Sequence, residues 1–141
     1  MDYREAYEKA LQLLNVRFLS EGELKAKLRR RGVDDDVLKD VVAALEGEHF
    51  LDDQRLARDV YRYYARKGQY GHLYIVNRLR RRCLPVPEDV ERPDEYALAG
   101  NLVKRKFSYR ADEARKAARF LQYRAFSPSV IRDVLEDFTV H

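Results

Sequence analysis

The stretch Lys27–Val33 reads KLRRRGV, and Arg78–Leu84, 51 positions on, reads RLRRRCL. A weaker copy, LQYRAF at Leu121–Phe126, follows after a further 42 positions. Leu28, Leu79 and Leu121 align, then Arg31, Arg82 and Arg124, then Gly32, Cys83 and Ala125, then Val33, Leu84 and Phe126. Each copy runs from a leucine through polar or basic residues to a small residue and a hydrophobe. Repeats with periods of about 20–50 residues are supersecondary units that bury their apolar faces by stacking on neighbours, which restricts the chain to an array architecture.

Local patterns fill in each unit. Tyr7, Ala10, Leu11, Leu14 and Phe18 recur at the spacing of an amphipathic helix. SEGE at Ser20–Glu23 is a capping box, in which the serine oxygen accepts from one amide while the glutamate reaches back to another. The helix it opens carries Leu24 and Leu28 inward and stops at Gly32, a residue able to take the left-handed conformation past a helix end. Asp34, Asp35 and Asp36 place negative charge at the next N-terminus. Val37, Leu38, Val41, Val42 and Leu45 then stripe a third helix ending near Gly47.

The second unit begins LDDQRLARDVYRYYARKG, with Asp52 or Asp53 as N-cap. Leu56, Ala57, Val60 and Tyr64 share one helix face. Arg55, Arg58, Arg62 and Arg66 share the opposite one, within roughly 80° of each other by helical spacing. Lys67 and Gly68 close the helix, and a turn leads into HLYIVNRLRRRC, where Ile75 and Leu79 point inward and Arg78 and Arg82 flank them. The following PVPEDVERPD holds three prolines, so its helix is expected to last one or two turns at most and to break at Pro93. In the third unit Ala114, Ala117, Ala118 and Leu121 form the middle stripe. Ser127 with Pro128 behind it starts a last helix along Val130, Ile131, Val134, Leu135 and Phe138. The expectation is an all-α array of three tandem three-helix, helix-turn-helix-like repeats, at 1–50, 51–93 (third helix short and Pro-interrupted) and 94–141.

No run approaches the roughly 18 apolar residues of a membrane span. The N-terminal MDYREAYEKA resembles neither a secretory signal nor a transit peptide. The single cysteine cannot form an internal disulfide, which suits a reducing compartment. A soluble, cytoplasmic protein is expected.

Catalytic constellations are not evident. His49, His72 and His141 are isolated, the six glycines are spread singly, and the aspartate clusters fall where helix caps are expected. Cys83 stands where the first copy has glycine, so it reads as a small packing residue rather than a reactive thiol. No enzyme activity, cofactor or metal is expected.

The chemistry present is guanidinium. Between Arg55 and Arg82 there are nine basic residues and one acidic one. Arginine's planar fork grips carboxylate or phosphate with two parallel bonds. Tyr61, Tyr63, Tyr70 and Tyr74 lie among these cations, suited to stacking on bases or filling an interface. This one-sided block points to an anionic partner, either a nucleic acid or an acidic protein surface. The triplet Arg29–Arg31, with three aspartates close behind, reads instead as a solvated face.

These motifs resemble the RecX family of recombination regulators. LSEGELKAKLRRRGV followed by an aspartate-capped helix is similar to that family's start. Leu51, Asp52, Asp53, Leu56 and Ala57 fit its hydrophobe-Asp-Asp signature, and Gly71, Ile75 and Leu79 fit its G-x-x-x-I-x-x-x-L helix. ARFLQYRAFSPSVIRDVLEDF looks like its C-terminal module, so the likeness covers roughly residues 7–138. The departures are His72 in place of proline, Cys83 and Ala125 in place of glycine, and the proline-rich stretch.

The resemblance implies an elongated helical arc without enzyme activity. It also implies a partner, the RecA recombinase filament on single-stranded DNA, whose growth such proteins block or whose disassembly they promote from within the helical groove. Strand exchange and RecA's co-protease activity would be suppressed. Carried onto this chain, Arg55, Arg58, Arg62, Arg66, Lys67, Arg78, Arg81 and Arg82 would meet RecA carboxylates, DNA phosphates or both, with the protein a monomer. A competing class is a helix-turn-helix-like binder of nucleic acid, single-stranded or duplex. The basic helices offer mostly arginine and one asparagine, Asn77, which suits phosphate contact more than base readout. A scaffold for some other acidic protein is the third possibility.

Overall fold

The computed structural model describes residues 1–107 and 111–140, so His141 and the side chain of Phe138, expected in the last stripe, lie outside the described residues. Along the described chain run α1 (Tyr3–Val16), α2 (Glu21–Arg30), α3 (Asp35–Gly47), α4 (Asp53–Arg66), α5 (His72–Arg81), α6 (Glu95–Lys106), a 3-10 turn (Ala111–Glu113), α7 (Ala114–Tyr123) and α8 (Pro128–Val140). Among the described residues there is no strand. Tertiary contacts gather into two compact units, residues 1–59 with 79–87, and residues 60–78 with 88–141.

In the first unit α1 packs on α2 and α3. Its core holds Ala6, Ala10, Leu24, Leu28, Leu38, Val41, Val42 and Leu45, all buried. The capping box forms in full: Glu23 N–H donates to Ser20 Oγ at 3.0 Å, and Ser20 N–H to Glu23 Oε1 at 2.9 Å. Such caps stabilise a helix by about 1 kcal/mol. The two aspartates of the hydrophobe-Asp-Asp signature divide their work. Asp52 caps its own helix by accepting from Arg55 N–H at 3.1 Å, whereas Asp53 accepts from Glu21 N–H at 2.9 Å and so holds the start of α2. Phe18 departs from its expected place in the first stripe. Arg17 takes an extended conformation that ends α1 at Val16, and Phe18 is left 75% exposed.

In the second unit α6 and α7 pack on α8 around Ala99, Leu102, Val103, Ala117, Leu121, Phe126, Ile131 and Val134. Ser127 Oγ accepts from Val130 N–H at 3.3 Å, with Pro128 opening α8 as expected. The short third helix expected after Arg82 is absent, because residues 82–94 contain no helix. Pro85, Pro87 and Pro93 supply no amide and push the residues before them toward extended conformations, so not even one turn closes.

The repeated motif is a helix end. Val33 N–H donates to Leu28 O, Leu84 N–H to Leu79 O and Phe126 N–H to Leu121 O, at 3.2, 2.9 and 3.1 Å. The residues between, Gly32, Cys83 and Ala125, all have positive φ, at 84°, 57° and 60°. Each leucine is fully buried and each following hydrophobe nearly so. This is a Schellman turn three times over, a left-handed residue returning the chain so that an apolar pair closes over the last turn.

Candidate partner-binding surface

Helix α4 presents its arginines as its periodicity requires. Ala57 and Tyr61 are fully buried, while Arg55, Arg62 and Arg66 are exposed and have no ion-pair partner among the described residues. Arg58 is half-buried and engaged. Burial of Tyr61 removes it from the rings available for stacking. Its hydroxyl sits 2.8 Å from His72 Nδ1, so a residue expected on the binding side is a core residue.

In the first unit Arg81 is exposed, as is its neighbour Arg80. Arg82 is held inside the fold. Its Nη2 donates to Phe18 O at 2.8 Å and to Glu23 Oε1 at 3.1 Å, and its Nε to Glu23 Oε2 at 3.3 Å. Burial pushes the Glu23 carboxyl upward, but the Arg82 guanidinium, the Ser20 amide and Arg17 outweigh it and hold the pKa below the usual value. Asp53 shifts the other way, because burial prevails over its bond from the Glu21 amide.

In the second unit Lys67 and Arg78 converge on tyrosines. Tyr70 and Tyr74 are stacked with ring centroids 3.8 Å apart and planes 5° from parallel. Tyr64 meets both edge-on, and Tyr63 meets Tyr64 edge-on at 5.2 Å. Lys67 Nζ lies 4.7 Å from the Tyr63 centroid, and the Arg78 guanidinium 5.1 Å from that of Tyr74, whose hydroxyl accepts from Arg78 Nε and Nη2. Lys67 donates to the Tyr63 phenol oxygen and Arg78 to that of Tyr74, which raises the pKa of each, so both remain cations at any physiological pH. Arg124 completes the group from the end of α7. It lies 5.5 Å from the Tyr70 centroid, and its Nη1 donates to Gln69 O and Oε1, both at 3.0 Å. Sequence reasoning did not assign Tyr64 or Arg124 to this site. For the neighbouring pair Tyr74 and Arg78, the spacing of four along α5 was the available signal. Arg124 lies far along the chain from these rings, and its place beside Arg82 in the repeat was its one signal.

Among the described residues no three His, Cys, Asp or Glu side chains gather as metal ligands would. No described helix is long and apolar enough to cross a membrane. The surface offers guanidinium and ammonium groups set against phenol rings, donors suited to meeting anionic groups.

Fold and surface together define a class: an all-helical protein assembled from three-helix domains and carrying a basic, tyrosine-rich face. Family models describe two of those domains, "RecX, first three-helix domain" at residues 6–45 and "RecX, third three-helix domain" at residues 93–135. The chain is 37% identical to "Regulatory protein RecX" of Halorhodospira halophila, over 87% of this chain and 81% of that protein. It is 29% identical to the protein of the same description from Geobacillus kaustophilus, over 99% of this chain but 56% of that protein, so it spans about half of that longer relative. The crystal structure of RecX from Lactobacillus salivarius shares the fold, with a TM-score of 0.79 at 21% identity over 99% of this chain and 98% of that one. The chain belongs to the RecX family of regulatory proteins.

Proposed function

We propose that this protein is a non-enzymatic modulator of RecA filaments on single-stranded DNA, blocking filament growth or promoting disassembly and thereby restraining recombination and the DNA-damage response. The observation that carries this reading is the row of exposed arginines on α4, Arg55, Arg62 and Arg66, which have no internal ion pairs among the described residues. A helix whose buried side is Ala57 and Tyr61 gains little from three unpaired guanidiniums on its outer side unless they meet an anionic surface. A nucleoprotein filament offers both carboxylates and phosphates. The regulatory description of the relatives agrees with a protein that acts by binding.

The test is steady ATP hydrolysis by the cognate RecA on single-stranded DNA with this protein titrated in. Turnover should fall at amounts well below RecA. Reversing Arg55, Arg62 and Arg66 to Glu should abolish the fall while leaving the helical content intact. Undiminished inhibition by that triple variant would exclude the α4 face, and no effect of the unaltered protein at equimolar amounts would exclude the filament reading.

A further inference from the structure

We propose that the second unit holds a stacking site for the bases of single-stranded nucleic acid, built from Tyr63, Tyr64, Tyr70 and Tyr74 with Lys67, Arg78 and Arg124 set against their rings. This extends the reading above by naming what the tyrosine face would touch, and it can be tested without any recombinase.

An aromatic cluster that served only the core would be buried. Here Tyr63 is 55% exposed, and Tyr64, Tyr70 and Tyr74 are each half-buried, so four neighbouring rings keep contact with solvent. The parallel Tyr70–Tyr74 pair already shows the flat-on-flat packing by which nucleobases bind aromatic side chains. Ring faces attract cations and bases alike, and a guanidinium plane is itself a surface on which a base can lie. Arg78 is fixed ring-on by two bonds to the Tyr74 phenol, and Arg124 is fixed over Tyr70 by two bonds to Gln69. Both guanidiniums are thus oriented in advance, and neither is neutralised by a carboxylate among the described residues. Arg62 and Arg66, exposed on the helix that bears Tyr63, supply charge for a phosphate backbone.

The chemistry favours one ligand class. An acidic protein surface would use the cations but leave the exposed ring surface of Tyr63 idle. A duplex keeps its base faces in its own stack. A single strand presents both phosphates and unstacked bases, and aromatic rings interleaved with cations are the means by which such strands are held without sequence preference.

The protein has no tryptophan, so emission from its ten tyrosines reports on stacking directly. The full chain would be titrated with an oligothymidylate of about 12 nucleotides, within the usual site size for single strands, and with an abasic oligomer of the same length. The base-bearing strand should bind about tenfold more tightly or better and quench tyrosine emission. Tyr63→Ala, at an exposed position, should remove most of that preference, and Tyr63→Phe should keep it. Equal affinity for the two oligomers would overturn the proposal, as would an unaltered preference in Tyr63→Ala. Displacement of the oligothymidylate by polyglutamate of matched charge as readily as by unlabelled strand would also overturn it, in favour of an acidic-protein surface. Loss of base preference leaves the RecA assay free to succeed. Failure of the RecA assay with base preference intact would identify a plain single-strand binder.

Discussion

The two units use the same joint with different side chains. In the first, Asp53 accepts from the leading amide of α2, Arg82 donates to the carbonyl of Phe18, and left-handed Cys83 lies over Gly22. In the second, Glu95 accepts from the leading amide of α5, Arg124 donates to the carbonyl of Gln69, and left-handed Ala125 lies over Gly71. Phe18 and Gln69 are 51 positions apart, as are Glu21 and His72, while Arg82 and Arg124 are 42 apart, so the contacts obey the period of the repeat. What repeats is contact with backbone atoms, which survives the exchange of aspartate for glutamate or cysteine for alanine. What differs is the side-chain layer: the first unit adds a carboxylate, Glu23, to its arginine, whereas the second lays its arginine against Tyr70 and Phe120. The first joint is thereby an internal ion pair and the second keeps its cations facing aromatic rings.

The largest effect separating the two joints should come from their glycines. A Cβ on Gly71 would lie 2.6 Å from the Ala125 carbonyl oxygen, a backbone atom with nowhere to move. Gly71→Ala should cost about 2–3 kcal/mol in urea denaturation. At Gly22 the obstruction is the Cβ of Cys83 at 2.7 Å. Gly22→Ala should therefore cost about 1–2 kcal/mol and be largely rescued by adding Cys83→Gly. Ala125→Gly should not rescue Gly71→Ala, because the carbonyl remains.

The arginines come next. Arg82→Ala strands a part-buried Glu23 and should cost about 1–2 kcal/mol, more than Arg124→Ala, whose partners Gln69 O and Oε1 are neutral and solvent-accessible, at about 1 kcal/mol. Equal losses in the two variants, measured by the same denaturation, would show that the Glu23 ion pair adds nothing beyond the shared carbonyl contact.

A smaller effect of opposite sign is expected at the left-handed residues. Cys83 and Ala125 hold positive φ with a Cβ present, so Cys83→Gly and Ala125→Gly should each stabilise by up to about 1 kcal/mol. A loss of melting temperature in either variant would mean that the methyl or thiol packing outweighs the backbone strain.

The units should also differ in their response to acid. Burial, assisted by Arg92, lowers the pKa of His72 below 6.5. The unfolded chain then takes up that proton first, and the second unit loses stability as pH falls below 6.5 through the lower folded-state value. Glu23 in the first unit is depressed below 4.5, so its contribution persists above that value and disappears only as pH falls through the lower, folded-state pKa. Urea midpoints across pH should flatten in the upper window for His72→Gln and only in the lower one for Glu23→Gln. A single window common to both variants would contradict the assignment.

His72 also contributes through its backbone. Its amide donates to Glu95 at 2.9 Å, a bond that a proline at this position could not make.

The sequence by itself determined the helices and their ends. The capping box at Ser20, the caps at Asp52 and Ser127, and the three Schellman turns all depend on residues within a few positions of one another, so their signals survive in a linear string. Tertiary structure alone decided which members of the basic block are available. Arg82 is taken up by Phe18 and Glu23, about 60 residues away, while Arg55, Arg62 and Arg66 stay exposed, though all four read alike in the sequence. Tyr61 and Tyr63 are two residues apart on one helix, one fully buried and the other more than half exposed, and Arg124 reaches the tyrosines only through the packing of the second unit. Helical periodicity fixes the angle between side chains on a helix, but which angle meets a neighbour is set by long-range contacts that leave no local trace.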